Sequence, residues 1–204
     1  MVNNIHRVRD LISFEDEFDF YFVQILKRRK DNPDLKRDMI VITNFHIESF
    51  EQYDSLMPHI VNMCEAENAR AYFRINRRNY KHLSYHMLKR VVDIIASGMV
   101  KALKGTFDAV AGKHHCDKDK KWIVDIDWVD MFDVDENPEG HKFQEIRDRV
   151  DELQGETKKD PLRFEIATKN GVHLITRPFN VKKFKDEFPG VDVHKDNPTI
   201  LYCP

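Results

Sequence analysis

The sequence predicts an α+β fold with a mostly antiparallel sheet, divided into an amino-terminal α/β module over residues 1–112 and a second module over 113–204. Three observations support this. β-Branched runs such as "MIVITNFHI" alternate with helical stretches through the first half. In the second half "RFEIAT" and "VHLITR" flank Lys169, Asn170 and Gly171, a turn of the hairpin kind. A length of 204 residues with 41% hydrophobic content allows one substantial core, so the two modules are expected to form a single domain.

Taken in order, residues 11–38 place Phe18, Phe22 and Ile25 at helical spacing and end in basic residues and a turn, which predicts a helix. "DMIVITNFHIES" is a strand, "FEQYDSLMPHIVNMCEAENA" a helix, and "RAYFRINR" a strand in which apolar and basic residues alternate. "HLSYHMLKRVVDIIASGMVKALKG" returns to the helical period. "KWIVDIDW" is the next strand, and "NPEGHKFQEIRDRVDELQG" reads as a turn and an amphipathic helix, with an exposed loop expected over 130–140. "VKKFKDEF" is a short helix and "NPTILYC" a last strand.

Charged residues make up 33% of the chain but nearly cancel at a formal charge of -2, so a polyanion would have to be bound by a local patch. Cys64, Cys116 and Cys203 are odd in number and widely spaced, and the amino terminus "MVNNIHRVRD" has no apolar signal-peptide region. A reducing, cytoplasmic setting is expected. No apolar run reaches the roughly 20 residues a bilayer requires, so no membrane partner is expected.

Asp-x-Asp occurs three times, as Asp117 with Asp119, Asp125 with Asp127, and Asp133 with Asp135. The outer pairs lie in polar sequence. Asp125 and Asp127 follow Trp122, Ile123 and Val124, and residues two apart on a strand project from one face. Two carboxylates converging there could hold Mg²⁺ or Mn²⁺ with positions left open for phosphate oxygens. A strand with one solvated face would give the same pattern without a metal.

"EIATKNGVHLITRPF" is a second constellation: Gly171 permits close backbone approach, and Lys169, His173 and Arg177 could surround an anion. An ordinary hairpin with a partly buried histidine is the commoner reading of any lone histidine. Asp192 follows an apolar valine and is a candidate third carboxylate, whereas Asp196, before Asn197 and Pro198, suits turn chemistry. His114, His115 and Cys116 lack a second ligand pair spaced to complete a zinc tetrahedron.

"IVDIDWVDMFDVDE" resembles the first motif of the catalytic small subunit of the archaeo-eukaryotic primase superfamily, an apolar strand delivering Asp-x-Asp. "TKNGVHL" is similar to that superfamily's second motif, a glycine followed two residues on by histidine, and "GVDVHKDNPTILY" to its third, an apolar residue followed by aspartate. The match covers residues 122–202. The resemblance implies a two-lobed primase-like domain whose catalytic module is RRM-like, with Asp125, Asp127 and Asp192 binding the divalent ions. It implies that His173, with Lys169 and Arg177 beside it, contacts the incoming nucleotide's phosphates, and that Arg74, Arg77 and Arg78 lie beside the template. On their own those arginines read as a solvated basic edge.

The activity so implied is metal-dependent nucleotidyl transfer, by a DNA primase or primase-polymerase, using nucleoside triphosphates on single-stranded DNA. A compact chain without a zinc module suits a phage or mobile element, and weak template binding at near-zero charge implies a helicase or accessory replication subunit as companion. Two rivals remain: a metal-dependent nuclease, and a non-catalytic nucleotide- or nucleic-acid-binding module of the same fold. A two-histidine phosphoesterase built on His46 and His173 is set aside, because "HIES" and "HLIT" carry their hydroxyls three residues on, on the opposite strand face.

Overall fold

The computed structural model describes residues 1–115, 118, 120–128, 141–156 and 161–204. The expected loop at 130–140 and the aspartates Asp117, Asp119, Asp133 and Asp135 lie outside the described residues. Within them the fold is α+β, with two sheets that are antiparallel throughout. The first contains β1 (Val2–Asn3), β2 (Asp19–Arg28), β3 (Met39–Ile47), β4 (Arg70–Asn79) and, from the far end of the chain, β9 (Pro198–Cys203). The second contains β5 (Trp122–Asp127), β6 (Phe164–Ala167), β7 (Gly171–Thr176) and β8 (Asp192–His194). Their strand orders are β1-β9-β4-β2-β3 and β6-β7-β5-β8.

Six α-helices among the described residues cover these sheets: α1 (Ile5–Leu11), α2 (Phe50–Glu67), α3 (Tyr80–Ala96), α4 (Thr106–Lys113), α5 (His141–Gly155) and α6 (Val181–Glu187). Local chemistry fixes several ends. Ser49 Oγ accepts from the Gln52 N–H at 3.1 Å to start α2, and Asn79 and Asn180 cap α3 and α6 in the same way. Asn68 ends α2 in the left-handed region at φ 45°. The helical run expected beyond α3 breaks at Gly98, whose φ is 72°.

The helix expected within residues 11–38 is instead the strand β2, a correction with a clear cause. From Asp19 to Leu26 only Gln24 escapes full burial, because β2 lies between β3 and β4 with both faces covered. A strand of that kind shows no polar alternation, and Phe18, Phe22 and Ile25 fall at helical spacing by coincidence.

The two faces of β2 organise the molecule. Tyr21, Val23 and Ile25 enter the main core with Val8 of α1 and Tyr53 and Ile60 of α2. On the opposite face Phe20 and Phe22 pack with Leu83, Val110 and Ala111 beneath α3 and α4. Farther along that face Gln24, Leu26 and Arg28 line an open cleft.

The second sheet follows the same period. Val124, Ile126 and Leu174 pack against Ile146, Val150 and Leu153 of α5 and Phe184 of α6. Ile123, Ile166 and Ile175, on the other face, join the main core. Asp125 and Asp127 continue the row begun by Ile123, and His173 that of Ile175, so they share the face turned toward the first sheet. Asn4 ties the sheets together, donating from Nδ2 to the Ala167 carbonyl at 2.8 Å and the Ile200 carbonyl at 2.9 Å.

Candidate active site in the cleft between the sheets

Between the sheets lies a cleft of about 510 Å³. One wall carries Asp125 and Asp127 from β5, His173 from β7 and His194 from β8. The other carries Arg28 of β2 with Arg70, Tyr72 and Arg74 of β4. Lys30 and Lys169 stand at the cleft as well.

Register places Asp125 opposite His173 on β7 and opposite Asp192 on β8. Directly opposed residues of an antiparallel pair share a face, and Asp125 and His173 meet in the cleft, joined from β8 by His194 rather than by Asp192, which is not among the residues lining it. His173 Nε2 lies 3.3 Å from Asp125 Oδ1, and His194 Nε2 lies 3.8 Å from Oδ2. The hydrogen bond from His173 holds the Asp125 carboxyl below its usual range, against burial, and His194 adds to the effect. His173 is nearly buried, and its Nδ1 lies 2.8 Å from Oγ1 of the fully buried Thr199 on β9. An ionised Asp125 can only accept, so Nε2 carries the proton toward it and Thr199 fixes the ring from behind.

Gly171 brings β7 close against β5 beside Asp127. A Cβ at position 171 would fall 2.0 Å from the Ile126 carbonyl oxygen and 2.8 Å from the Asp127 Cα. The hairpin tip is tied to the same strand end, since the Trp128 N–H donates to the Asn170 carbonyl at 2.7 Å.

A clasp joins the walls at one side of the cleft. Asp31, in the β2–β3 connection, accepts from Arg70 at 2.7 and 2.8 Å and from Lys169 at 2.9 Å. The Arg70 guanidinium and Lys169 pull the Asp31 carboxyl down to about 2. Lys169 of the candidate phosphate set therefore lines the cleft while sharing a carboxylate.

The other candidates separate. Asp192 is level with Asp125, but its carboxylate is exposed and meets Lys185 Nζ of α6 at 3.1 Å. An exposed pair of that kind is worth about 0–1 kcal/mol, so Asp192 is released readily. Arg177 follows the end of β7, where its N–H donates to Gln154 Oε1 at 2.6 Å, and it is not among the residues lining the cleft. Arg74 lines the cleft, with Nη1 donating to the Asp196 carbonyl at 2.7 Å, and burial depresses its pKa.

Arg77 and Arg78 are buried. Arg77 meets Glu15 at 2.9 Å and Asp19 at 3.3 Å, while Arg78 donates to the Ala111 and Asn76 carbonyls and lies 3.4 Å from Asp196. These two arginines hold β4 to its surroundings rather than facing the cleft. Asp196 correspondingly anchors the β8–β9 turn. His46 packs among Phe20, Phe22 and Phe107, beside Asp108 and away from the cleft lining. His114 stacks on His86 with centroids 3.9 Å apart, and Cys116 lies outside the described residues.

Arg28, Arg70, Tyr72 and His194 are cleft residues that sequence reasoning missed. His194 had a usable signal, since it follows Asp192 by two positions on one strand. Arg28 and Arg70 had none, because they come from strands far from the aspartates in sequence. Among the described residues no cluster of three or more His, Cys, Asp or Glu side chains is arranged to hold a metal ion. Two carboxylates still suit a magnesium-sized ion, which commonly takes one or two from protein and completes its shell with water and phosphate oxygens.

No protein family, curated protein or solved structure matches the chain. No helix among the described residues is long and apolar enough to cross a membrane.

Proposed function

We propose that the protein is a metal-dependent nucleotidyltransferase of the primase or primase-polymerase type, extending or initiating a strand on single-stranded DNA. The observation that carries this reading is the division of charge across one cleft. Asp125 and Asp127 stand on one wall and Arg28 and Arg74 on the other, with Arg70 held by Asp31 as part of the frame, as a metal-bound polyphosphate would require. Antiparallel β6-β7-β5-β8, with Asp-x-Asp on the central β5 and the glycine-x-histidine sequence on β7, supports the likeness to the RRM-like primase module.

In this reading Asp125 and Asp127 hold Mg²⁺ or Mn²⁺. The bound ions supply activation of the attacking hydroxyl and neutralisation of charge on the leaving group. The 3′-oxygen of the growing strand bonds to the α-phosphorus of a nucleoside triphosphate, its proton passes to solvent, and the bond to pyrophosphate breaks. Arg28, Lys30 and Lys169 face the triphosphate, His173 steadies the Asp125 carboxylate through its Nε2–H, and Tyr72 offers a ring against which a base can stack. Asp192, which pairs with Lys185 outside the cleft lining, would complete the metal set only on leaving that lysine. Arg74 is the template-side arginine with access to the cleft.

The test is primer extension with Mn²⁺ or Mg²⁺, all nucleotides and a labelled primer-template, comparing the wild type with Asp127→Asn. Lengthened products made only by the wild type support the reading. Products that shorten whether or not triphosphates are present would replace it with the nuclease reading. Binding of triphosphate without either reaction would leave a non-catalytic module.

A further inference from the structure

Helix α3 carries an apolar seam on its outer side. Tyr85, Leu88, Val92, Ile95 and Met99 are each more than half exposed and follow one another at intervals of three, four, three and four residues. With Val100 they make six of the twelve large exposed hydrophobic residues among those described. None of the six lines the cleft. The face of α3 that packs into the protein is a different one, formed by Leu83 and Ile94, with Met87 packed against the same cluster as Leu83. The helix is therefore apolar on two sides, and only one is used.

The spacing states what fits. Alternating steps of three and four are the a and d positions of a helix-to-helix seam, and the four on α3 span an arc of about 80°. That is too narrow for a helix lying in a lipid interface, which uses a broad apolar half. From Tyr85 to Ile95 the helical seam runs about 15 Å, and Met99 and Val100 extend the apolar patch past the break at Gly98.

Charge then selects the partner. Lys81 and Lys89 lie along the seam's side of α3, and Lys101 and Lys104 follow its end, against the lone acid Asp93 between residues 80 and 105, in a chain whose net charge is -2. A second copy of this chain would set these four cations against four. We infer that the α3 seam docks an acidic amphipathic helix of a partner protein, its apolar positions on Leu88, Val92 and Ile95 and its carboxylates toward Lys81, Lys89 and Lys101. The inference does not depend on the chemistry of the cleft.

The probe is a labelled 21-residue peptide with leucine at a and d and glutamate at e and g, whose own like charges oppose self-association. The same peptide with lysine at e and g is the control. Fluorescence anisotropy should show the acidic peptide binding at least tenfold more tightly than the basic one. Leu88→Glu/Ile95→Glu should lose at least tenfold while its circular dichroism and Tm stay unchanged, both positions being exposed. Equal binding of the two peptides, or binding of neither, would overturn the proposal. So would a wild-type dimer by light scattering that the double variant dissolves, or tighter retention on phosphatidylserine vesicles than on the acidic peptide.

Discussion

Strands β4 and β5 each carry charge into the interior, with opposite results. On β4 the protein supplies the counter-charges: Arg70 has Asp31, Arg77 has Glu15 and Asp19, and Arg78 has Asp196 and two carbonyls. On β5 Asp125 meets imidazoles, and Asp127 is exposed at the cleft. A guanidinium locked by carboxylates is part of the scaffold. A carboxylate steadied by histidines in an open cleft keeps room for a ligand. Sequence alone does not separate the two cases, because both appear as charges among apolar neighbours.

The contrast makes graded predictions. Arg78→Ala removes a fully buried cation from Asp196 and should cost about 3–5 kcal/mol in chemical denaturation. A loss under 1 kcal/mol would mean that the charges of β4 are not scaffold. Gly171→Ala should cost about 1–3 kcal/mol, since its Cβ must push β7 from backbone atoms of β5. An unchanged Tm would show that the close approach beside Asp127 is unnecessary.

The Asp31 clasp should appear as acid sensitivity. Its carboxyl lies at about 2 in the folded protein. A depressed folded value stabilises the protein above the unfolded pKa near 4, and that contribution, about 2 kcal/mol, is lost as pH falls from about 4 to 2. Denaturation of wild type and Asp31→Asn across that range should show the wild-type advantage disappearing toward pH 2. An advantage independent of pH would remove ionisation as its cause. At the smallest end, Asp127→Asn should change stability by less than about 0.5 kcal/mol, because the position is exposed.

Much of the fold was legible where one face met water or a turn was marked. The β6–β7 hairpin stood out through its turn residues, and β5 through the apolar run ahead of Asp125. β2 was misread because burial on both faces erased its period. Of the site, the carboxylates and His173 lie in two separate motifs, each marked by its own local pattern, which the resemblance joined. The basic wall could not, since Arg28 and Arg70 reach the cleft only through the pairing of β2 with β4. Nor could sequence tell Arg77 and Arg78 from Arg74, which alone of the three lines the cleft, because the partners of all three, Glu15, Asp19 and Asp196, lie far away along the chain.

The central claim is that the two walls act on one ligand, and triphosphate affinity tests it most directly. Binding of a fluorescent nucleoside triphosphate would be measured with and without Mn²⁺ in wild type, Asp127→Asn and Arg28→Ala. Mn²⁺ should strengthen wild-type binding at least tenfold. Asp127→Asn should lose that gain while keeping the metal-free affinity, and Arg28→Ala should weaken binding in both conditions. Equal affinities in all three proteins, or a metal effect that survives Asp127→Asn, would contradict the account.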